Sequence, residues 1–396
     1  MDFKGAALRT AAAFVAASSP LVALAQAAAT PAPSRPISRE LEALNPPVPA
    51  DIKVSEERRV PAEKKVAAYK DPKWTAPKTS WGQPNLEGTF ATDDMRGIPF
   101  DRPEEFGTQE FLNEQQFVER AKRQQAGSDH AANVETFHKN TWGVRSFGFT
   151  SLVVDPPNGR TPPLTAEARA QVAARAERGS FGAGPFDTFE DFSLYDRCIA
   201  RSLGAGMSAV LYGNGIRITQ SPDSVTITYE MIHEARVIRL DNRPHLADEV
   251  TQYSGNSRGH WEGDTLVVET AGFTSKTNIG GSAQNSAKLR TTERIRRVDP
   301  EIIEYRITID DPATYTAPFT VRTMWSTQPT LTDIYEYACH EGNYAVSGGL
   351  AGERRFEKEV AEAKAKGLPV PRRSTMTEVY SAPKEGAQVF DINKGQ

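Results

Sequence analysis

Cysteine is nearly absent from this chain, with only Cys198 and Cys339 among 396 residues. That scarcity excludes a cysteine-built zinc module and a dense disulfide scaffold. Histidine is scarce too, at six residues, and none stands in a His-Glu-x-x-His spacing. The chain lacks a Gly-x-Ser-x-Gly elbow, a phosphate-binding Gly-Lys-Ser/Thr loop and a Gly-x-Gly-x-x-Gly run after a strand pattern. Neither a serine nucleophile nor a nucleotide-dependent mechanism therefore has sequence support. Net charge is only −4, with both signs spread along the chain. Without a basic stripe to meet phosphates, nucleic acid is not an expected partner. Beyond the opening residues there is no long apolar run, so no membrane span is expected.

The opening residues are what the rest of the chain is not. Lys4 and Arg9 precede an uncharged stretch from Thr10 to Leu24, rich in Ala, Val, Leu and Phe and interrupted by Pro20. Ala23-Leu24-Ala25 and Ala25-Gln26-Ala27 are small-x-small cleavage sites. This pattern predicts a signal peptide over residues 1–25, cleaved near Ala25 or Ala27, and a periplasmic or secreted protein. The apolar run is too short and too alanine-rich to span a bilayer, which needs ~20 apolar residues. No paired arginines precede it, which favours the general secretion route, and no nearby cysteine offers a lipid anchor. In an oxidising compartment Cys198 and Cys339 are expected to bridge. The bridge would close a loop of about 140 residues, for which loop entropy gives ~4–5 kcal/mol. Two buried thiols or a nucleophilic thiol are the alternatives, and neither cysteine has the Gly-rich or helix-opening setting of a nucleophile.

Residues 26–80 repeat proline among scattered charges and read as an extended arm, with one short helix opened by Pro61. Residues 81–200 are mixed α+β. Asn113-x-x-Gln116 is a capping box that starts a helix over 113–124. Val144–Val154 is strand-like and ends at Asp155-Pro-Pro-Asn-Gly159. Thr165 caps a further helix reaching Glu177. From 201 to 350, period-two patterns dominate. Ile216–Gln220 and Val225–His233 flank Ser221-Pro222-Asp223, and Ala235–Leu240 follows. His260-Trp261 and Thr265–Glu269 flank Glu262-Gly263-Asp264. Lys288–Val298 and Ile302–Ile309 flank Asp299-Pro300, and Phe319–Trp325 and Asp333–His340 form a last pair. About nine short strands joined by tight turns predict a mainly β fold, an antiparallel up-and-down barrel of lipocalin-like architecture. A peripheral helix over Glu353–Lys366 and a tail fill 351–396.

Four histidines fall in the β-rich region. His233 shares the strand parity of Val225, Ile227, Tyr229 and Met231, which makes it either core packing or a pocket group beside Tyr229. His245 follows Arg243-Pro244 in a loop. Ser257–Asp264 packs Arg258, His260, Trp261 and two carboxylates into eight residues, a hairpin tip whose aromatic pair would line a barrel mouth. Asp333–His340 read as a strand puts Glu336 and His340 on one face and Tyr335, Tyr337 and Cys339 on the other. An imidazole within reach of a carboxylate is the usual equipment for proton transfer. The expected catalytic set is therefore His260, His340, Glu336, Glu341 and Arg236, with His233, Trp261, Tyr337, His245 and Tyr229 as pocket walls. No cofactor is called for. His260-x-Glu262 and His340-Glu341 have the donor types of a zinc site, but their spacing matches no metal motif, so no metal is assigned.

Several segments together carry a resemblance: Trp81-Gly82-Gln83-Pro84-Asn85-Leu86-Glu87-Gly88, Asp155–Arg160, Asp196-Arg197-Cys198, Glu230–Arg236, Ser257–Thr270 and Glu336–Tyr344. From about Trp81 to Gly352 the chain resembles a large family of exported, mostly uncharacterised proteins of proteobacteria and acidobacteria. The resemblance implies export and one cooperative unit holding both cysteines, and supplies no reaction or catalytic residue. Two functions suit the residues best. One is a cofactor-independent acid/base enzyme, a lyase, hydratase or isomerase acting on a small, largely apolar molecule in a barrel cavity. The other is a lipocalin-like periplasmic carrier of a hydrophobic ligand, with a metal-dependent hydrolase ranking third. Expression of the full chain in an exporting cell should yield a mature protein beginning at Gln26 or Ala28. Intact-mass measurement of the exported product checks this, and retention of residues 1–25 would refute it.

Overall fold

In the computed structural model, residues 75–120, 147–177, 185–201, 203–207, 209, 213–277, 284–328, 331 and 333–373 are described. They all belong to one compact unit within Val48–Gln396. The expected signal peptide, most of the proline-rich arm and the Pro61 helix lie outside the described residues.

The fold is a closed, nine-stranded, mixed β-barrel. Its wall runs β1 (Gly88–Ala91), β3 (Gly215–Ser221), β4 (Ser224–Tyr229), β5 (Ala235–Arg239), β6 (Asn256–Glu262), β7 (Thr265–Ala271), β8 (Arg290–Asp299), β9 (Ile302–Asp310) and β10 (Phe319–Ser326). Ala91↔Ser326 closes the ring, and β2 (Val153–Asp155) pairs with the other end of the same edge of β10. Closure removes the free edges that an open sheet would expose. β1 lies in the region read as mixed α+β, so residues N-terminal to 200 complete the barrel wall.

The alternation that predicted the strands sets their faces. Val225, Ile227 and Tyr229 point inward from β4, as do Thr291, Glu293 and Ile295 from β8 and Ile303, Tyr305, Ile307 and Ile309 from β9. Three hairpins turn in two residues each, because Ser221↔Ser224, Glu262↔Thr265 and Asp299↔Ile302 are paired. Gly263 takes φ 60, a left-handed conformation that suits glycine. Strand directions put these three turns at one end of the barrel.

Four sequence expectations change. β5 and β6 run parallel through Arg239↔Arg258, so the chain from 240 to 255 must cross back along the barrel. The wall is therefore mixed, and a pure up-and-down meander does not apply. β4 ends at Tyr229, where Met231–His233 form a turn with Ile232 at φ 66 and His233 at φ 46. A β-branched residue is costly there, which is why parity alone extended the strand too far. Residues 333–340 are irregular, and β10 pairs instead with β9, β2 and β1. The C-terminal helix begins earlier than expected, spanning Ala345–Ala365.

Local signals elsewhere hold. Asn113 and Gln116 form a reciprocal capping box at 2.9 Å in both directions, opening a helix seen over 114–120. The Thr165 hydroxyl accepts from the Ala168 amide at 3.2 Å, capping the helix Ala166–Glu177. Among the described residues no helix is long and apolar enough to cross a membrane.

The end opposite the tight hairpins is covered by two tied segments. Cys198 and Cys339 are disulfide-bonded, with Cα atoms 5.7 Å apart. Tyr195 and Tyr337 share a hydroxyl–hydroxyl hydrogen bond at 2.9 Å, and Asn343 Nδ2 donates to the Asp196 carbonyl at 2.8 Å. Both segments meet the β4–β5 turn: the Arg201 amide donates to Glu234 at 2.9 Å, and His233 Nδ1 lies 3.2 Å from the Tyr337 carbonyl. Downstream of this cover, Gly204–Met207 packs into the barrel, where the Gly206 carbonyl accepts from Thr323 Oγ1 and Trp325 Nε1. A Cβ on Gly206 would lie 2.8 Å from the Trp325 ring. Reducing the disulfide, or substituting Cys198→Ser with Cys339→Ser, is expected to lower stability by ~3–5 kcal/mol. Urea unfolding with and without reductant measures this, and an unchanged midpoint would show that the bridge adds nothing.

Candidate functional site

A cluster of polar groups stands inside the barrel wall, where alternation would otherwise place aliphatic side chains. Arg236 projects inward from β5 and Glu293 from β8, and their side chains are 3% and 0% exposed. They meet bidentately, Nη1 to Oε1 at 3.1 Å and Nη2 to Oε2 at 2.6 Å. Tyr305 on β9 donates its hydroxyl to Glu293 Oε1 at 2.8 Å. On the other side Arg236 Nη2 reaches Ser257 Oγ at 3.5 Å, and Ser257 shares a 2.9 Å hydrogen bond with Thr270. The register aligns Ser257, Thr270 and Thr291 at one level of β6, β7 and β8. Tyr229 closes the cluster from β4, fully buried beside Arg236.

Each group's environment fixes its charge. Burial pulls Arg236 down, but the Glu293 carboxylate outweighs it and holds the guanidinium firmly protonated. Burial pushes the Tyr229 and Tyr305 phenols well above their ordinary range, so both are neutral hydrogen-bonding groups. Trp325 stacks on Tyr305 with ring centroids 4.4 Å apart. Two buried polar atoms here make no hydrogen bond, Arg236 Nε and Thr291 Oγ1, and the Tyr229 hydroxyl has only Arg236 as a polar neighbour to bond.

The structure brings together two of the residues singled out from sequence, Arg236 and Tyr229, and puts the others elsewhere. His260 lies on the outer face of β6, 48% exposed, with Nε2 3.3 Å from Glu262. Arg294, and then His260, hold the Glu262 carboxyl below its usual range in an exposed surface network. Trp261 turns inward against the core, its Nε1 buried without a partner. Glu336, His340 and Glu341 are exposed in the irregular segment 333–344. Tyr337 is half-buried and His233 exposed where the covering segments meet the β4–β5 turn. His245 is half-buried in the 240–255 crossing. His233, His260 and His340 thus sit outside the interior cluster.

Glu293, Tyr305, Ser257, Thr270 and Thr291 were missed. Glu293 alternates with Thr291 and Ile295 on the face that turns inward, and a carboxylate at such a position is the signal that was available. Among the described residues no group of three or more His, Cys, Asp or Glu side chains is placed to hold a metal ion.

No family model, curated protein or solved structure matches the chain. The site is read from its own geometry. Arg236→Ala would leave Glu293 buried and unpaired, at an expected cost of about 3–5 kcal/mol. His260→Ala, at an exposed surface position, should stay within about 0.5 kcal/mol. Chemical denaturation of the two variants beside the parent checks the contrast. A His260 effect as large as that of Arg236 would overturn this assignment of the interior pair.

Proposed function

We propose that this chain is an exported β-barrel protein that binds a small, largely apolar molecule, fixing one polar group of it against Arg236 and Glu293. The observation that carries the reading is a fully buried ion pair at the barrel's interior, with unpartnered polar atoms beside it. A buried ion pair adds little stability over a well-packed apolar pair, because desolvating both charges offsets their attraction. Stability alone therefore does not account for it, whereas orienting a ligand in an otherwise apolar interior does. Aromatic and aliphatic neighbours such as Trp325, Trp261, Leu266 and Ile295 supply the apolar side of such a site.

The binding reading ranks above the acid/base one because of where the titratable groups lie. Histidine is the side chain best suited to proton transfer near neutral pH. His260 and His340 are exposed, and the interior holds a paired arginine and two phenols pushed upward. Export rests on the character of residues 1–25 and is supported by the Cys198–Cys339 bridge, a bond that persists in oxidising compartments.

The double substitution Arg236→Leu with Glu293→Leu tests the reading. The variant should unfold at the same or a higher midpoint, and native mass spectrometry should show loss of the small molecule retained by the wild type. Retention of that molecule by a folded variant would overturn the proposal. Its conversion to a product by the wild type would favour the enzyme.

A further inference from the structure

We infer that the ligand group held at the interior pair is uncharged, a carbonyl or a hydroxyl, and that Tyr229, Arg236 Nε and Thr291 are its hydrogen-bonding partners. The inference rests on the binding reading above and specifies its ligand. Glu293 already engages both terminal nitrogens of Arg236, and Tyr305 donates to one of its two oxygens. The pair is thus internally neutral. A carboxylate brought alongside would face Glu293 in a medium of low polarity, where like charges repel strongly. An ammonium would face Arg236 in the same way. A neutral dipole meets neither penalty.

The remaining hydrogen-bonding capacity matches such a group. Arg236 Nε–H can only donate, while the Tyr229 and Thr291 hydroxyls can donate or accept. Arg236 Nε and Thr291 Oγ1 are buried and unpartnered, and the buried Tyr229 hydroxyl, with Arg236 as its polar neighbour, has its own proton left to donate. Tyr229 lies beside Arg236, Arg236 reaches Ser257, and Thr291, level with Ser257 and Thr270 on the two strands before it, shares the inward face of β8 with Glu293, two residues away. Leaving buried polar atoms unpaired costs about 1–3 kcal/mol each, so a ligand that satisfies them gains selectivity over a purely apolar one.

Acetophenone, benzoate and benzylamine have nearly equal size and differ in charge. Calorimetric titration of the wild type should give acetophenone a Kd at least tenfold lower than either ion. Tyr229→Phe and Thr291→Val keep the ion pair and nearly the same volume. Each should weaken acetophenone about tenfold, with an unfolding midpoint close to that of the wild type. Glu293→Gln removes the counter-charge and should shift the preference toward benzoate at least tenfold. If that variant does not fold, the wild-type comparison and the two hydroxyl deletions decide. Benzoate or benzylamine binding as tightly as acetophenone to the wild type would overturn the uncharged ligand while leaving the binding reading intact. Unchanged acetophenone affinity in both hydroxyl variants would overturn the assigned partners. Failure of all three compounds to bind would overturn the binding reading together with this inference.

Discussion

Placing a guanidinium and a carboxylate together inside a barrel is costly, since each ion loses several kcal/mol of hydration that only close, multiple hydrogen bonding offsets. The wall of this barrel meets that demand by delivering partners from successive strands. Arg236 comes from β5, Ser257 from β6, Thr270 from β7, Glu293 from β8 and Tyr305 from β9. None of these side chains lies within hydrogen-bonding reach of the others until the strands are in register. A one-residue slip of β8 would turn Glu293 outward and bring Thr292 or Arg294 inside. Strand register and the polar interior are therefore one constraint.

The rest of the architecture serves that enclosed centre. Three two-residue hairpins finish one end of the barrel with little chain. The longer connections, at the other end, leave it to be covered by residues brought from far apart in sequence. The Cys198–Cys339 bond, the Tyr195–Tyr337 contact and the Asn343–Asp196 hydrogen bond tie those two segments to each other. Gly206 then carries the chain into the interior, against Trp325, which stacks on the tyrosine that holds Glu293. A continuous set of contacts therefore joins the covered end to the ion pair.

The parallel pairing of β5 with β6 shapes the site as well. It is made through a single registered pair, and Arg236 and Ser257 face each other across that junction. Glu234, beside the junction, accepts from the Arg201 amide and from Ser254. Side-chain hydrogen bonds thus take up at this seam a role that backbone ladders fill around most of the wall.

What the sequence determined by itself is what local physics decides. Alternation with Pro222-Asp223, Gly263-Asp264 and Pro300 between apolar runs marked three hairpins, because tight turns are set by the residues that occupy them. Asn113, Gln116 and Thr165 marked two helix starts, because a cap bonds within its own first turn. Two cysteines, in a chain whose opening residues read as an export signal, marked a bridge. The tertiary structure decided the rest. Alternation continues through His233, but a left-handed turn at Ile232 ends the strand, and nothing in the residue types announces it. The period-two pattern of 333–340 is that of a strand, yet β10 has its partners already and the segment is held as a cover. His260 and Glu336 attract notice because they stand beside other reactive groups in sequence. A site inside a barrel is instead assembled across strands, from single inward residues tens of positions apart, so that Glu293 and Tyr305 gain meaning only once the wall has closed.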